Sequence, residues 1–148
     1  MQFHSVRVFG DARSAGTYAL LIRLDSARAV TVGRLGPVRF PAGWYVYAGS
    51  ALGPGGLAAR LMRHAWRYKP LHWHIDYLLV FSALKGAWLI QEPRRRECEL
   101  ARYLARSPDA QIIAPRFGAS DCDCVTHLRY FPHRTSVTAL LETFVTAR

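Results

Sequence analysis

The sequence predicts one α/β or α+β domain with a small sheet. Three observations lead to this class. Runs rich in β-branched and apolar residues come first, segments with apolar residues at helical spacing follow, and the connections are short. The chain of 148 residues, 51% of them hydrophobic, suits one core and leaves no room for a second. We expect an N-terminal extension over residues 1–15 and one domain over residues 16–148.

Three short strands come first in the predicted order. Thr17–Leu24 and Ala29–Val32 are apolar runs on either side of a turn signal, which favours a hairpin between them. Gly43–Gly49 is the third strand, and alternation places Tyr45 and Tyr47 on one of its faces.

Helices and two further strands follow the glycine-rich loop over residues 50–56. The segment His72–Val80 fits a strand or a helix equally well. The other predicted elements are a helix over Leu57–Arg67, a strand over Leu84–Ile90, a helix over Arg95–Arg106, a short strand at Ile112 and Ile113, and a closing helix over Thr135–Thr146.

The chain is strongly basic, with a net charge of +10 and a pI of about 10.3. All of its 20 basic residues except Lys69 and Lys85 are arginines, whose planar fork matches phosphate oxygens. This charge predicts a polyanionic partner, although a GC-rich codon usage, which the absence of asparagine also fits, would enrich arginine too.

The sequence predicts a cytoplasmic protein without a membrane partner. Residues 1–16 lack the apolar core of a signal peptide, and the apolar runs are far shorter than the roughly 18 to 20 residues that cross a bilayer. The three cysteines form an odd set, which favours reduced thiols or metal ligands over disulfides.

Two tyrosines and an arginine are predicted to surround a phosphate site. Tyr18 and Tyr47 lie on two neighbouring strands, and a glycine-rich loop then leads to Arg60 in the first turns of a helix. The helix N-terminus and the loop amides favour an anion at this point. His64 lies four residues after Arg60 and shares its helix face.

Several motifs together resemble the GIY-YIG nuclease superfamily, in particular its small single-domain Uri-type branch. They are GTY at 16–18, WYVYAGSALGPGGLAARLMRH at 44–64, LHWHIDYLL at 71–79, ECELA at 97–101 and FGASDCDCVTHLRYF at 117–131. The resemblance implies a three-stranded, mostly antiparallel sheet flanked by helices. It also implies hydrolysis of nucleic-acid phosphodiester bonds with Mg²⁺ or Mn²⁺ as cofactor.

The resemblance also implies roles for particular residues. It gives Tyr18 the positioning or deprotonation of the attacking water, and Arg60 the stabilisation of phosphate charge. The other implied catalytic residues are Tyr47, His64, His72 or its alternative His74, and a carboxylate on the next helix that holds the metal.

Glu97 and Glu99 compete for the role of metal ligand. At 100° per residue, Glu97 shares a stripe with the apolar residues Leu100, Ala101 and Leu104 and should face the sheet. We therefore predict Glu97 as the ligand. A carboxylate favoured by the helix dipole is the alternative interpretation.

The sequence departs from the superfamily pattern in two respects that bear on catalysis. Its first motif has threonine at the middle position, and it lacks the asparagine that often occurs late in the domain. The role of that asparagine is then absent or belongs to Ser120, Asp121 or His127. The alternative function is accordingly a catalytically inactive module that binds nucleic acid or docks a partner.

Two further groups of side chains could bind a metal. Cys98, Cys122, Cys124 and His127 could hold zinc tetrahedrally, pack as buried thiols, or form part of the nuclease site together with Asp121 and Asp123. His72, His74 and Asp76 would share a face in a strand, whereas in a helix only His72 and Asp76 would meet.

We therefore predict an endonuclease that acts on DNA, with RNA still open and a targeting protein as a further expected partner. The sequence does not specify an oligomeric state. We assign nucleic-acid contacts to the glycine loop, the basic face of the first helix and an arginine run, namely Gly49, Ser50, Arg63, Arg67, Arg94, Arg95 and Arg96.

Overall fold

A five-stranded mixed sheet forms the centre of the fold in the computed structural model, which describes residues 7–147. The strand order is β1-β6-β2-β5-β7, with β1 parallel to β6 and all other pairs antiparallel. The strands of this sheet are β1 (Arg7–Phe9), β2 (Gly16–Leu24), β5 (Gly43–Ala51), β6 (Ala83–Ile90) and β7 (Leu128–Phe131).

Helices cover both faces of the sheet and give the domain two cores. They are α1 (Gly56–Ala65), α2 (His74–Leu79), α3 (Glu97–Leu104) and α4 (Thr135–Thr146). Alternate residues of the central strand β2 serve the two cores: Leu20 packs with residues of α1 and α2, and Leu21 packs with residues of α3 and α4.

The mixed α/β class is confirmed, but the expectation of three strands in the sheet is wrong. The two additional strands, β1 and β7, lie at the edges and have three and four residues. Such short runs carry no alternation of their own and form only because β6 and β5 offer unpaired edges. Strand β1 lies within the predicted N-terminal extension, of which residues 1–6 lie outside the described part.

The predicted hairpin between the first two strands is also wrong. β2 pairs with β5 on one side and β6 on the other, so it has no free edge. The second run becomes β3 (Arg28–Val32) and pairs with β4 (Gly36–Phe40), a strand that the sequence analysis did not identify. Gly36 lies at this turn with φ of 86°, a conformation that favours glycine.

The helix predictions are confirmed, with small shifts at the ends. The closing helix begins and ends at the predicted residues, and the ambiguous segment is the short helix α2. Ile112 and Ile113 are not part of a strand, because the only pairing there is a single bridge from Gln111 to Tyr130. Among the helices within residues 7–147, none is long and apolar enough to cross a membrane.

Candidate active site

Tyr18 and His64 form a buried hydrogen-bonded pair. β2 directs Tyr18 towards α1, and its hydroxyl lies 2.7 Å from His64 Nε2. Gly49 is directly opposite Tyr18 in the strand register. A Cβ at Gly49 would lie 2.5 Å from the Tyr18 ring, so only glycine at this position leaves room for the pair.

Both members of this pair are neutral near pH 7. Burial lowers the pKa of His64 to about 3, and the cations Arg60, Lys69 and Arg63 add to this effect. Burial also raises the pKa of Tyr18 to about 12, although Arg60 opposes the rise. Tyr18 keeps its proton and the low pKa makes His64 a weak base, so the pair does not readily take a proton from water in the resting protein.

A polar cleft of about 390 Å³ lies above this pair. Tyr47, Arg60 and Glu97 line the cleft, as the sequence analysis predicts for a common site. Tyr18 does not line it, because its side chain is only 1% exposed and lies beneath Gly49. Burial raises the pKa of Tyr47, so the phenol that reaches the cleft stays protonated.

Arg60 is held in place by two neighbours. Its Nη1 donates to the carbonyl oxygen of Ser50 at 3.0 Å, and its guanidinium lies 4.3 Å from the centre of the Trp73 ring. The guanidinium of Arg63 lies 4.2 Å from the same ring. Cation–π contacts of this kind keep the charged group in one orientation next to the cleft.

Glu97 occupies the first position of α3 and faces the cleft. One of its carboxylate oxygens accepts a hydrogen bond from Ser50 Oγ, and the other lies 3.7 Å from Arg95 Nη1. Ser50 therefore holds the carboxylate and Arg60 at the same time. Glu99 lies elsewhere, paired with Arg96 at 2.8 Å, so the geometry favours Glu97 over Glu99.

Thr17, the threonine of the first motif, fixes the start of α3. Its hydroxyl accepts the backbone N–H of Arg96 at 2.9 Å and lies 3.4 Å from Ser50 Oγ. The residue is fully buried. Thr17 thus links the central strand to the helix that carries Glu97, which an isoleucine at this position could not do.

We expect Thr17→Val to lower the free energy of unfolding by about 1–2 kcal/mol, because the buried N–H of Arg96 would lose its acceptor while the packing volume is kept. Urea unfolding followed by circular dichroism measures this change. Thr143→Val, at an exposed position of α4, is the matched control and should change stability by less than about 0.5 kcal/mol. Equal stability of Thr17→Val and the wild type would contradict the role of this hydroxyl.

The histidines that follow α1 lie outside the cleft. His72 is exposed and is not among the lining residues. His74 accepts the backbone N–H of Gly118 at 2.8 Å, and burial lowers its pKa. Asp76 is fully buried, so these three side chains do not form the shared metal face that a strand would give.

Two of the arginines assigned to nucleic-acid contacts are engaged within the protein. Arg63 donates to both carboxylate oxygens of Asp76, at 2.9 and 3.1 Å. The Arg96 side chain is buried and paired with Glu99. Arg67, Arg94 and Arg95 are exposed, and Arg95 also lines the cleft.

The four predicted zinc ligands lie together. Their ligand atoms are all within 4.8 Å of one another, and no disulfide joins the three cysteines, Cys98, Cys122 and Cys124. The fourth ligand, His127, is nearly buried. This cluster could hold a metal ion. Cys122 and His127 also line the cleft, together with Asp121.

Sequence reasoning missed the structural roles of three residues that shape the site: Thr17, Trp73 and Asp76. A threonine inside an apolar strand gave no sign that its hydroxyl supports a distant helix. Asp76 had a local signal, since it accepts the backbone N–H of Trp73 at the start of α2 at 2.8 Å, as N-terminal carboxylates commonly do.

The chain matches one protein-family model, described as a domain of unknown function, DUF123, over residues 17–148. No curated protein and no solved structure matches it.

Proposed function

The chain belongs to the DUF123 family, and from its cleft we propose that the protein is a metal-dependent endonuclease that hydrolyses phosphodiester bonds in nucleic acid, with DNA as the expected substrate. One observation supports this function most directly. Ser50 binds Arg60 through its carbonyl oxygen and Glu97 through its hydroxyl, so a cation and a carboxylate face one cleft. Phosphoryl chemistry uses this combination of groups.

The proposed fold is GIY-YIG-like. The central strand β2 is antiparallel to both of its neighbours, β6 and β5, as the resemblance in the motifs implies, and β1 and β7 are then additions at the two edges. The proposal rests on the motifs and on this agreement in the central strands.

Arg60 binds the scissile phosphate in this proposal. Its guanidinium is already oriented by Ser50 and Trp73, so the side chain loses little further conformational entropy when the phosphate binds. As a water oxygen bonds to phosphorus, the bond from phosphorus to the leaving sugar oxygen breaks, the water loses a proton and the leaving oxygen gains one. Negative charge that builds up on the non-bridging oxygens during this step is stabilised by the fixed guanidinium. Tyr47, which stays protonated, can donate a hydrogen bond to one of the same oxygens.

Glu97 is the proposed ligand for Mg²⁺ or Mn²⁺. Magnesium is usually held by one or two carboxylates together with waters and substrate phosphates. Glu97 fits this pattern, because its side chain is 14% exposed, faces the cleft and has Asp121 on the same lining. A divalent ion bound there would lower the pKa of the attacking water and neutralise phosphate charge.

Tyr18 and His64 position the site in this proposal. They are neutral and hydrogen-bonded to each other, and Tyr18 fills the space beneath Gly49 in the cleft floor. The resemblance implies a more direct role, in which Tyr18 deprotonates the water. Tyr18→Phe separates the two roles, since a rate loss as large as that of Arg60→Ala would assign Tyr18 to the proton transfer.

We expect the full chain to cleave labelled single-stranded, double-stranded or branched DNA, or RNA, with Mn²⁺ or Mg²⁺ and not with EDTA. Arg60→Ala should lower the cleavage rate at least about 100-fold, because it removes a fixed cation from the transition state. Arg106→Ala, which alters an exposed arginine after α3, should cleave at the wild-type rate.

Failure of the wild type to cleave any of these substrates would contradict the proposed activity, as would equal cleavage by the wild type and Arg60→Ala. Salt-dependent binding without cleavage, with log K falling linearly with log salt concentration, would instead support the inactive binding module.

A further inference from the structure

We propose that Cys98, Cys122, Cys124 and His127 bind one zinc ion, which fastens the loop over residues 118–127 to the start of α3. The proposal does not depend on nuclease activity, because it concerns a separate set of ligands with thiol and imidazole chemistry. These ligands suit zinc, whereas Mg²⁺ prefers oxygen ligands.

The spacing of the four side chains is close to that of a tetrahedral zinc site. His127 Nε2 lies 3.3 Å from Cys122 Sγ and 3.5 Å from Cys98 Sγ, and all four ligand atoms lie within 4.8 Å of one another. Zinc bonds of about 2.3 Å to sulfur and about 2.0 Å to nitrogen place tetrahedral ligand atoms about 3.5–3.8 Å apart. Shifts of about 1 Å or less would complete this geometry.

Hydrogen bonding does not account for the cluster as well as a metal does. An imidazole Nε2 offers either one lone pair or one N–H, yet two thiols lie within 3.5 Å of it. All three cysteines of the chain meet here, although Cys98 lies on α3 and the other two lie on a distant loop. A single zinc ion would satisfy all four ligands at once.

The loop that carries three of the ligands has little core of its own. No residue from 120 to 125 is buried. Its backbone is held by hydrogen bonds, among them those from Arg116 N–H to the carbonyl oxygen of Val125 at 2.6 Å and from His127 N–H to the carbonyl oxygen of Phe117 at 2.8 Å. A metal ion that crosslinks the loop to α3 would hold in place a segment that apolar burial does not hold.

The charge around the cluster also favours a zinc–thiolate centre. Zn²⁺ with three thiolates and a neutral histidine carries a net charge of −1, which nearby cations would stabilise. Arg102 and Arg129 line the cavity next to Cys124. The Nε of Arg129 is buried without a hydrogen-bond partner among residues 7–147, so a negative centre there would compensate a buried charge.

The zinc ion would also fix one wall of the cleft. Cys122 and His127 belong to both the cluster and the cleft lining, and Cys98 directly follows Glu97 in α3. The ion would thereby set the distance between Asp121 on the loop and Glu97 on the helix. This effect on activity rests on the proposed function, whereas the binding of zinc does not.

The test is the metal content of the full chain, purified under reducing conditions without chelators. Elemental analysis should find about one zinc per wild-type chain, and Cys122→Ser and His127→Ala should each bind zinc at least about 100-fold more weakly. His133→Ala, which alters an exposed histidine outside the cluster, should retain one zinc. Cobalt added to the apoprotein should give the strong visible absorption of tetrahedral Co²⁺ and a thiolate charge-transfer band.

Absence of zinc from the wild type, together with a cobalt spectrum without these bands, would overturn the proposal. Unchanged zinc content in Cys122→Ser and His127→Ala would overturn it as well. If these variants fail to fold, the same question is tested on the wild type. A mercurial reagent that modifies the three thiols should release one zinc per chain. Release of no zinc would contradict the site. Glu97→Gln should retain its zinc, so loss of cleavage and loss of zinc are separable.

Discussion

Glu97→Gln is expected to lower the cleavage rate by at least about 100-fold while nucleic-acid binding without metal stays within about twofold of wild type. The substitution preserves the shape of the side chain and its capacity to accept the hydrogen bond from Ser50 Oγ. It removes only the negative charge that a divalent cation needs. Removing an anion from a cleft that is proposed to bind a polyanion should not weaken the binding step.

Single-turnover cleavage and filter binding, each repeated over a range of Mn²⁺ concentrations, measure the two effects. Glu99→Gln is the matched control, because Glu99 is exposed, lies two residues away and pairs with Arg96. It should cleave at nearly the wild-type rate. If Glu99→Gln lost cleavage and Glu97→Gln kept it, the assignment of the metal ligand would be reversed.

Asp76→Ala is expected to lower the free energy of unfolding by about 3 kcal/mol. Asp76 is fully buried and accepts two hydrogen bonds from Arg63 and one each from the backbone N–H groups of His72 and Trp73. Its removal leaves a partly buried guanidinium and two N–H groups without this acceptor. Asp25→Ala, which alters an exposed carboxylate near Arg23, should cost less than about 0.5 kcal/mol.

The contribution of Asp76 should also depend on pH. Burial alone would raise its pKa, but the hydrogen bonds from Arg63, His72 and Trp73 outweigh burial and hold the pKa below its ordinary value. The stabilisation is therefore fully present above the pKa of the unfolded carboxyl, about 3.9, and is lost as the pH falls through the lower folded value.

Denaturant unfolding of the wild type and Asp76→Ala at several pH values measures both the loss of stability and its dependence on pH. The difference in stability between wild type and Asp76→Ala should be constant near neutral pH and shrink in acid. A difference that grows as the pH falls would contradict the assignment of the carboxylate as the charged partner of Arg63.

The periodicity of apolar residues along the sequence predicted which faces of individual strands and helices are buried. Alternation placed Tyr45 and Tyr47 on one face of their strand, and both pack in the same core. Helical spacing identified α1, since Leu57 and Leu61 are buried on one side of it. The same geometry on α3 placed Glu97 above a stripe whose buried members are Leu100, Ala101 and Leu104.

The errors concern features that depend on distant partners. A strand such as β1 exists because β6 presents an edge, and its three residues carry no signal of that pairing. β3 has the composition of a sheet strand, but it does not pair with β2, because β5 and β6 already occupy both edges of β2. These outcomes depend on tertiary contacts more than on propensity.

In the candidate site, too, features with a local sequence signal were predicted and features that depend on distant contacts were not. Residue type and motif spacing identified Arg60, Tyr47 and Glu97, which share the cleft. Charge alone could not separate the paired arginines from the exposed ones, because pairing depends on which carboxylate the fold brings near. Arg95 and Arg96 are adjacent in sequence, yet Arg96 is buried and lies 2.8 Å from Glu99, whereas Arg95 is exposed and lies 3.7 Å from Glu97.

The stacking of Arg60 and Arg63 on Trp73 has a consequence for conformational entropy. An arginine that is free in solution gives up roughly 2 kcal/mol of rotamer freedom when it is fixed. With both guanidinium groups about 4 Å from the indole ring, part of that loss has already occurred during folding. In the proposed function, Trp73 would therefore strengthen phosphate binding without adding charge, because Arg60, which lines the cleft, no longer needs to be ordered.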